Sequence, residues 1–148
     1  MNIRLLLILA LGFLIDAAIS FYPVNYDHWL PEFGVLVGIA WGRTDFDIFE
    51  DLGFSLVACT AAMFTQATPW MVIICLISCF VLTRALAHKH WATALVPGIV
   101  AQILPLAIYG VRNSLDIDLS WLIFASILSY SAIRAAASVL VVRLLGFT

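Results

Sequence analysis

Charged side chains are scarce in this chain: seven basic and nine acidic residues make up 11% of the whole, against about 25% in an ordinary soluble domain. Neither sign dominates. The formal net charge is −2, and no basic run offers a surface for nucleic acid or anionic lipid headgroups. Cysteine is equally sparse. Cys59, Cys75 and Cys79 fall inside apolar segments and form no C-x-x-C, which argues against a disulfide framework, a zinc site or a redox pair; they read as small buried apolar side chains. Cys75 and Cys79 share a helix face at i, i+4, without His or carboxylate neighbours that would make them metal ligands. The three histidines, His28, His88 and His90, lie between apolar segments. A haem ligand in a membrane bundle belongs within a helix, and His88-Lys89-His90 lacks a third metal ligand. No G-x-S-x-G, P-loop or H-E-x-x-H occurs. We therefore expect no catalytic residues, no cofactor and no metal.

What is present is apolar: 64% of residues are hydrophobic and the mean hydropathy is +1.10. The apolar residues form six blocks, Ile3 to Ser20, Leu30 to Trp41, Leu52 to Gln66, Trp70 to Leu86, Trp91 to Gly110, and Leu119 to about Leu145. A helix needs about 20 residues to cross the hydrocarbon core, so the second and third blocks are short and the last is long, continuing along or beyond one membrane surface after Ala137. The expected fold is all-α, a polytopic membrane helical bundle of about six transmembrane segments forming one domain over residues 1–148. Arg4 followed by Leu5 to Ile15 imitates a signal peptide, but Asp16 is out of place before the small triplet Ala18-Ile19-Ser20, so this stretch reads as the first crossing. With the amino terminus inside, Arg4, Arg43, Arg84, Lys89 and Arg143 fall at cytoplasmic ends and only Arg112 falls outside; both termini are then cytoplasmic. Tyr22, Tyr26, Trp29, Trp70, Tyr109 and Trp121 mark the outer interface, and Trp41 and Trp91 the inner one.

Several residues invite a functional reading. Gly34, Gly38 and Gly42 place three glycines on one stripe of the second helix, a surface for close approach of another backbone, either within the chain or from a partner protein. Ala132, Ala135, Ala136, Ala137 and Ser138 form a second small-residue patch around Arg134, whose charge inside a membrane segment marks it as functional. Arg134 is near enough to the cytoplasmic face to snorkel, or to pair with another subunit; Asp16 is its candidate counter-ion within the chain. Asp16, Gln102 and Arg134 together would make a polar pocket, with Pro97 and Pro105 bending the fifth helix on either side of Gln102 and Gln66 ending the third. Glu32, beside Pro31, suits the start of the second helix. Asp45, Asp47, Glu50 and Asp51 crowd the following loop without the spacing of a calcium site and read as a solvated segment capping the third helix, its interleaved Phe46, Ile48 and Phe49 lying on the membrane surface or against a partner.

The run Leu30-Pro31-Glu32-Phe33 leading into Val35-Leu36-Val37-Gly38-Ile39-Ala40-Trp41, preceded by Pro23 and followed by a short polar loop and Gly53-Phe54, resembles the bacterial rod-shape-determining MreD family. The specific part covers about residues 30 to 60; the remainder agrees in length and number of crossings. Many relatives carry an Asp in the third helix where Ala61 stands here. The resemblance implies a non-catalytic scaffold subunit of the cell-elongation complex in the bacterial inner membrane, which regulates cell shape. Its partners would be an MreC-like membrane protein, the glycosyltransferase and transpeptidase of lateral peptidoglycan synthesis, and membrane lipid, with no nucleic acid. That fold is also similar to the substrate-binding subunits of energy-coupling transporters, so a transport or ligand-binding subunit is the alternative, and an accessory subunit of a respiratory or photosynthetic complex is another.

Overall fold

The second apolar block is the centre of the molecule. All ten residues of its helix, Phe33–Gly42, are buried, as expected of a helix that is apolar on every face. The computed structural model describes residues 3–21, 33–64, 69–86, 95–112 and 121–146, and these form six helices: α1 (Ile3–Phe21), α2 (Phe33–Gly42), α3 (Ile48–Met63), α4 (Pro69–Ala85), α5 (Leu95–Arg112) and α6 (Trp121–Leu144). Every regular element among the described residues is helical. α2 packs most extensively on α4 and also meets α1, α6, α5 and α3. Around it, α4 packs on α5 and α5 on α6, while α3 touches its neighbours only lightly.

The helix ends have identifiable causes. Asp47 caps α3: its carboxylate accepts from the Glu50 amide at 2.8 Å, and Glu50 reaches back to the Asp47 amide at 3.3 Å. This reciprocal capping box satisfies two amides that the first turn leaves without helical partners. It starts α3 at Ile48, four residues earlier than the apolar block suggests, and takes Glu50 and Asp51 out of the solvated loop and into the helix. α6 runs without interruption past Ala137 to Leu144. It stops at Gly146, whose φ of +83° is a left-handed conformation favouring glycine, and whose amide donates to the Arg143 carbonyl at 3.1 Å. Arg4 Nη1 donates to the Gly146 carbonyl at 3.1 Å, tying the start of α1 to the end of α6.

Burial follows the sequence pattern unevenly. On α3, Phe54, Ala58 and Ala62 form an inward stripe at i, i+4, i+8, while Leu52, Leu56 and Met63 are exposed. Large apolar side chains are also exposed on α1 (Leu7, Leu14) and α6 (Leu140, Leu144). Among the described residues, Ala125–Leu144 is the helical stretch that by length and composition alone suffices to cross a membrane; Phe33–Gly42, Trp70–Ala85 and Leu95–Ile108 are apolar but shorter.

Candidate functional site

Three features were singled out as candidate surfaces: the glycine stripe, the small-residue patch with Arg134, and the polar trio. The glycine stripe is filled from within the chain. A Cβ on Gly34 would lie 3.1 Å from Cys75 Sγ, one on Gly38 2.7 Å from Cys79 Cβ, and one on Gly42 2.7 Å from Thr83 Cβ. Each glycine meets a residue 41 positions later, so α2 and α4 run parallel and in register, with Cys75, Cys79 and Thr83 as the small complement to the three glycines. Of the two readings of the stripe, internal packing is the one realised; α4 covers the face that a partner would need. The cysteines owe their place to size, since a longer side chain at Cys75 or Cys79 would push the helices apart.

One residue of the small patch on α6 is used in the same way. Ala135 is fully buried, and a Cβ on Gly98 of α5 would lie 2.8 Å from the Ala135 Cβ and 3.3 Å from Val35 Cγ1. α5, α6 and the start of α2 therefore converge at this level. Arg134 adjoins Ala135 in sequence at this level, about 10 Å along α2 from Gly42 at 1.5 Å per residue. Its side chain is half-buried.

Past Gln102 the two helices diverge around a cavity of about 560 Å³. Gln102, almost fully buried, donates both amide hydrogens to main-chain carbonyls, Gly98 O at 3.1 Å on its own helix and Ser131 O at 3.0 Å on α6. Its carbonyl oxygen is the polar atom left over. Gln102 and Arg134 both line the cavity, joined by the hydroxyl residues Ser126, Tyr130 and Ser131. The other walls are apolar: Met71 and Val72 from α4, Pro105 and Leu106 from α5, and Ile127 from α6. Pro105 lies inside α5, where its missing N–H leaves the Ala101 carbonyl without its helical donor. Pro97, third residue of α5, sits in the first turn, where proline is ordinary. Thus two of the three predicted pocket residues share one cavity. Asp16, half-buried on α1, is not among the lining residues. Glu32, Gln66 and the three histidines lie outside the described residues.

A second polar cluster was missed by the sequence reading. Arg84 at the end of α4 forms an ion pair with Asp51 and donates from Nη2 to Asp51 Oδ1 at 3.2 Å and to the Thr44 carbonyl at 2.9 Å. Trp41 Nε1 donates to the same Asp51 Oδ1 at 2.8 Å. The Trp41 ring stacks on Phe80 with centroids 3.8 Å apart and meets Phe54 edge-on at 5.2 Å, and the Arg84 guanidinium lies 4.5 Å from the Phe80 centroid. Trp41, expected as an interfacial side chain, is 3% exposed. Phe46 turns inward to within 6.2 Å of Phe54, whereas Ile48 and Phe49 are exposed. The cluster fastens the end of α2, the start of α3 and the end of α4 into one unit. Beside it, burial pushes the Arg43 guanidinium below its usual pKa. The signal available in the sequence was the coincidence of Arg84, Asp51 and Trp41 at three segment ends that the topology brings together.

No family model, curated protein or solved structure matches the chain.

Proposed function

We propose that the chain is a multi-pass protein of the bacterial inner membrane, a non-catalytic scaffold subunit of the cell-elongation complex in the manner that the resemblance to MreD implies. One observation carries this reading: the stretch that bears the resemblance forms the hub of the bundle. α2 is buried on every face, and its end is fastened to α3 and α4 through Trp41, Asp51 and Arg84. A bundle packed in this way has its lateral helix faces available for recruiting an MreC-like protein and the glycosyltransferase and transpeptidase that lengthen the wall. Membrane placement is supported by exposed leucines on α1, α3 and α6 in a chain that is 64% hydrophobic, since such faces are at home in lipid. The Arg4 to Gly146 contact puts the start of the first helix and the end of the last on one side, in keeping with six crossings and both termini in the cytoplasm.

Deleting the gene in the source bacterium and measuring cell length and width tests the role. The expected result is loss of rod shape, with the tagged chain recovering cell-wall synthesis proteins in mild detergent. Unaltered shape and no such recovery from a correctly inserted chain would remove the reading. A second reading, a ligand-binding or transport subunit, is favoured by the cavity beside Arg134. Uptake or retention of a bound small molecule by the intact chain, absent when the cavity is filled, would establish it over the first.

A further inference from the structure

We infer that the cavity between α4, α5 and α6 is a binding site for an amphiphile with an oxyanion head, a carboxylate or phosphate carried on an apolar chain. The inference rests on the membrane placement proposed above but not on the cell-elongation role. Size comes first: about 560 Å³ lies within the range of sites that enclose small organic ligands, about 300–1,000 Å³. Shape comes next. At one end the helices approach closely at Gly98 and Ala135, which closes the cleft; it extends along Pro105 and Leu106 toward the starts of α4 and α6.

The lining joins polar groups to apolar wall. Arg134, Ser131 and Gln102 gather near the closed end, while Leu106, Ile127 and Met71 supply apolar wall beyond them, interrupted by the hydroxyls of Ser126 and Tyr130. Among the described lining residues Arg134 is the charged one, so the site favours a negative head. A guanidinium has five donors in a planar fork matching carboxylate and phosphate oxygens, so it can accept such a head while keeping contacts inside the protein. Gln102, anchored by two main-chain carbonyls, holds its carbonyl oxygen for a protonated or hydroxyl-bearing part of the ligand.

The test uses the full chain in phosphatidylcholine nanodiscs, after alkaline extraction has established that it remains in the membrane; release at that step would sink the membrane placement and with it this inference. Native mass spectrometry then follows adducts retained with added oleate, with oleyl alcohol, with inorganic phosphate, or with phosphatidylglycerol mixed into the disc. We expect oleate or phosphatidylglycerol to be retained at least about tenfold better than the neutral alcohol or phosphatidylcholine, as a charge-assisted contact gives, with inorganic phosphate alone not retained. The oleate arm indicates a free acid as source and the phosphatidylglycerol arm a lipid. R134Q should abolish the charge preference, R134K should keep part of it, and Ile127→Trp, which fills the cleft without altering charge, should abolish retention altogether. Equal retention of charged and neutral chains, retention of inorganic phosphate alone, or full retention in Ile127→Trp would each overturn the inference.

Discussion

Adding one methyl group at Gly38 tests the parallel α2–α4 pairing more sharply than any other change. The alanine Cβ would sit 2.7 Å from Cys79 Cβ, 3.0 Å from the Leu76 carbonyl oxygen and 3.2 Å from Cys79 Sγ. Carbon atoms in comfortable contact are about 3.5–4.0 Å apart, so the two helices must separate by about 1 Å along a seam where three consecutive turns are in register. Overpacking of this kind costs about 1–3 kcal/mol, against which replacing glycine by alanine in a helix returns about 0.8–1.0 kcal/mol. The net effect is a loss of up to about 2 kcal/mol. The internal standard is Gly53 of α3, where nothing lies within 4 Å of an added Cβ; Gly53→Ala should gain the propensity term alone. Equilibrium unfolding in mixed micelles would give both values, and their difference isolates the steric term. Repeating Gly38→Ala in a Cys79→Gly background removes two of the three close atoms, and the loss should shrink by about 0.5–3 kcal/mol, the coupling expected of residues in contact. If Gly38→Ala proved as favourable as Gly53→Ala, or cost the same with and without the Cys79 side chain, the close approach of α2 and α4 at this level would be refuted.

Three further changes probe the other contacts. Arg84→Lys keeps the charge but loses the fork that reaches both Asp51 and Thr44; with side-chain exposures of 35% and 22% the pair is neither fully screened nor fully buried, and a loss of about 1 kcal/mol with faster protease cleavage in the α2–α3 connection is expected. Identical stability and cleavage would mean the charge alone suffices. Gln102→Leu removes the link between α5 and α6 at nearly constant volume and should cost about 0.6–2 kcal/mol, read by the same unfolding assay; a more stable variant would show the link to be unimportant for packing. Gly98→Ala meets the Ala135 Cβ at 2.8 Å and should destabilise by about 1–3 kcal/mol, with partial recovery on Ala135→Gly; absence of coupling between the two would contradict the α5–α6 contact.

The positions of the six helices were legible because apolar runs of this length have few other uses. Their boundaries were read within two residues at α1, α4 and α6, where block and helix end together. α3 was misplaced because Asp45, Asp47, Glu50 and Asp51 give this stretch a polar character that hid a helix start; the Asp47-x-x-Glu50 spacing was the signal that could have corrected it. The glycine stripe was visible, but its occupant was not: a parallel partner 41 residues away has no local mark, although Cys75, Cys79 and Thr83 repeat the same four-residue spacing. Gln102 and Arg134 stood out as polar residues in apolar surroundings, and they do share a cavity. Its walls, Leu106 and Ile127 among them, are indistinguishable in sequence from any lipid-facing side chain, and polarity alone does not say whether a residue such as Asp16 joins the lining.

The parallel pairing of α2 with α4 also sets an order of events during synthesis. Each glycine of α2 leaves the ribosome 41 residues before the small side chain it is shaped to receive, a wait of roughly 2–8 s at about 5–20 residues per second. For those seconds a ten-residue helix, too short to span a bilayer unaided, has neither its neighbour nor the Arg84 anchor at its end. Chain growth must therefore deliver α3 and α4 as a returning pair before α2 can settle, and a nascent chain arrested between the two helices would be the form most exposed to quality-control proteases.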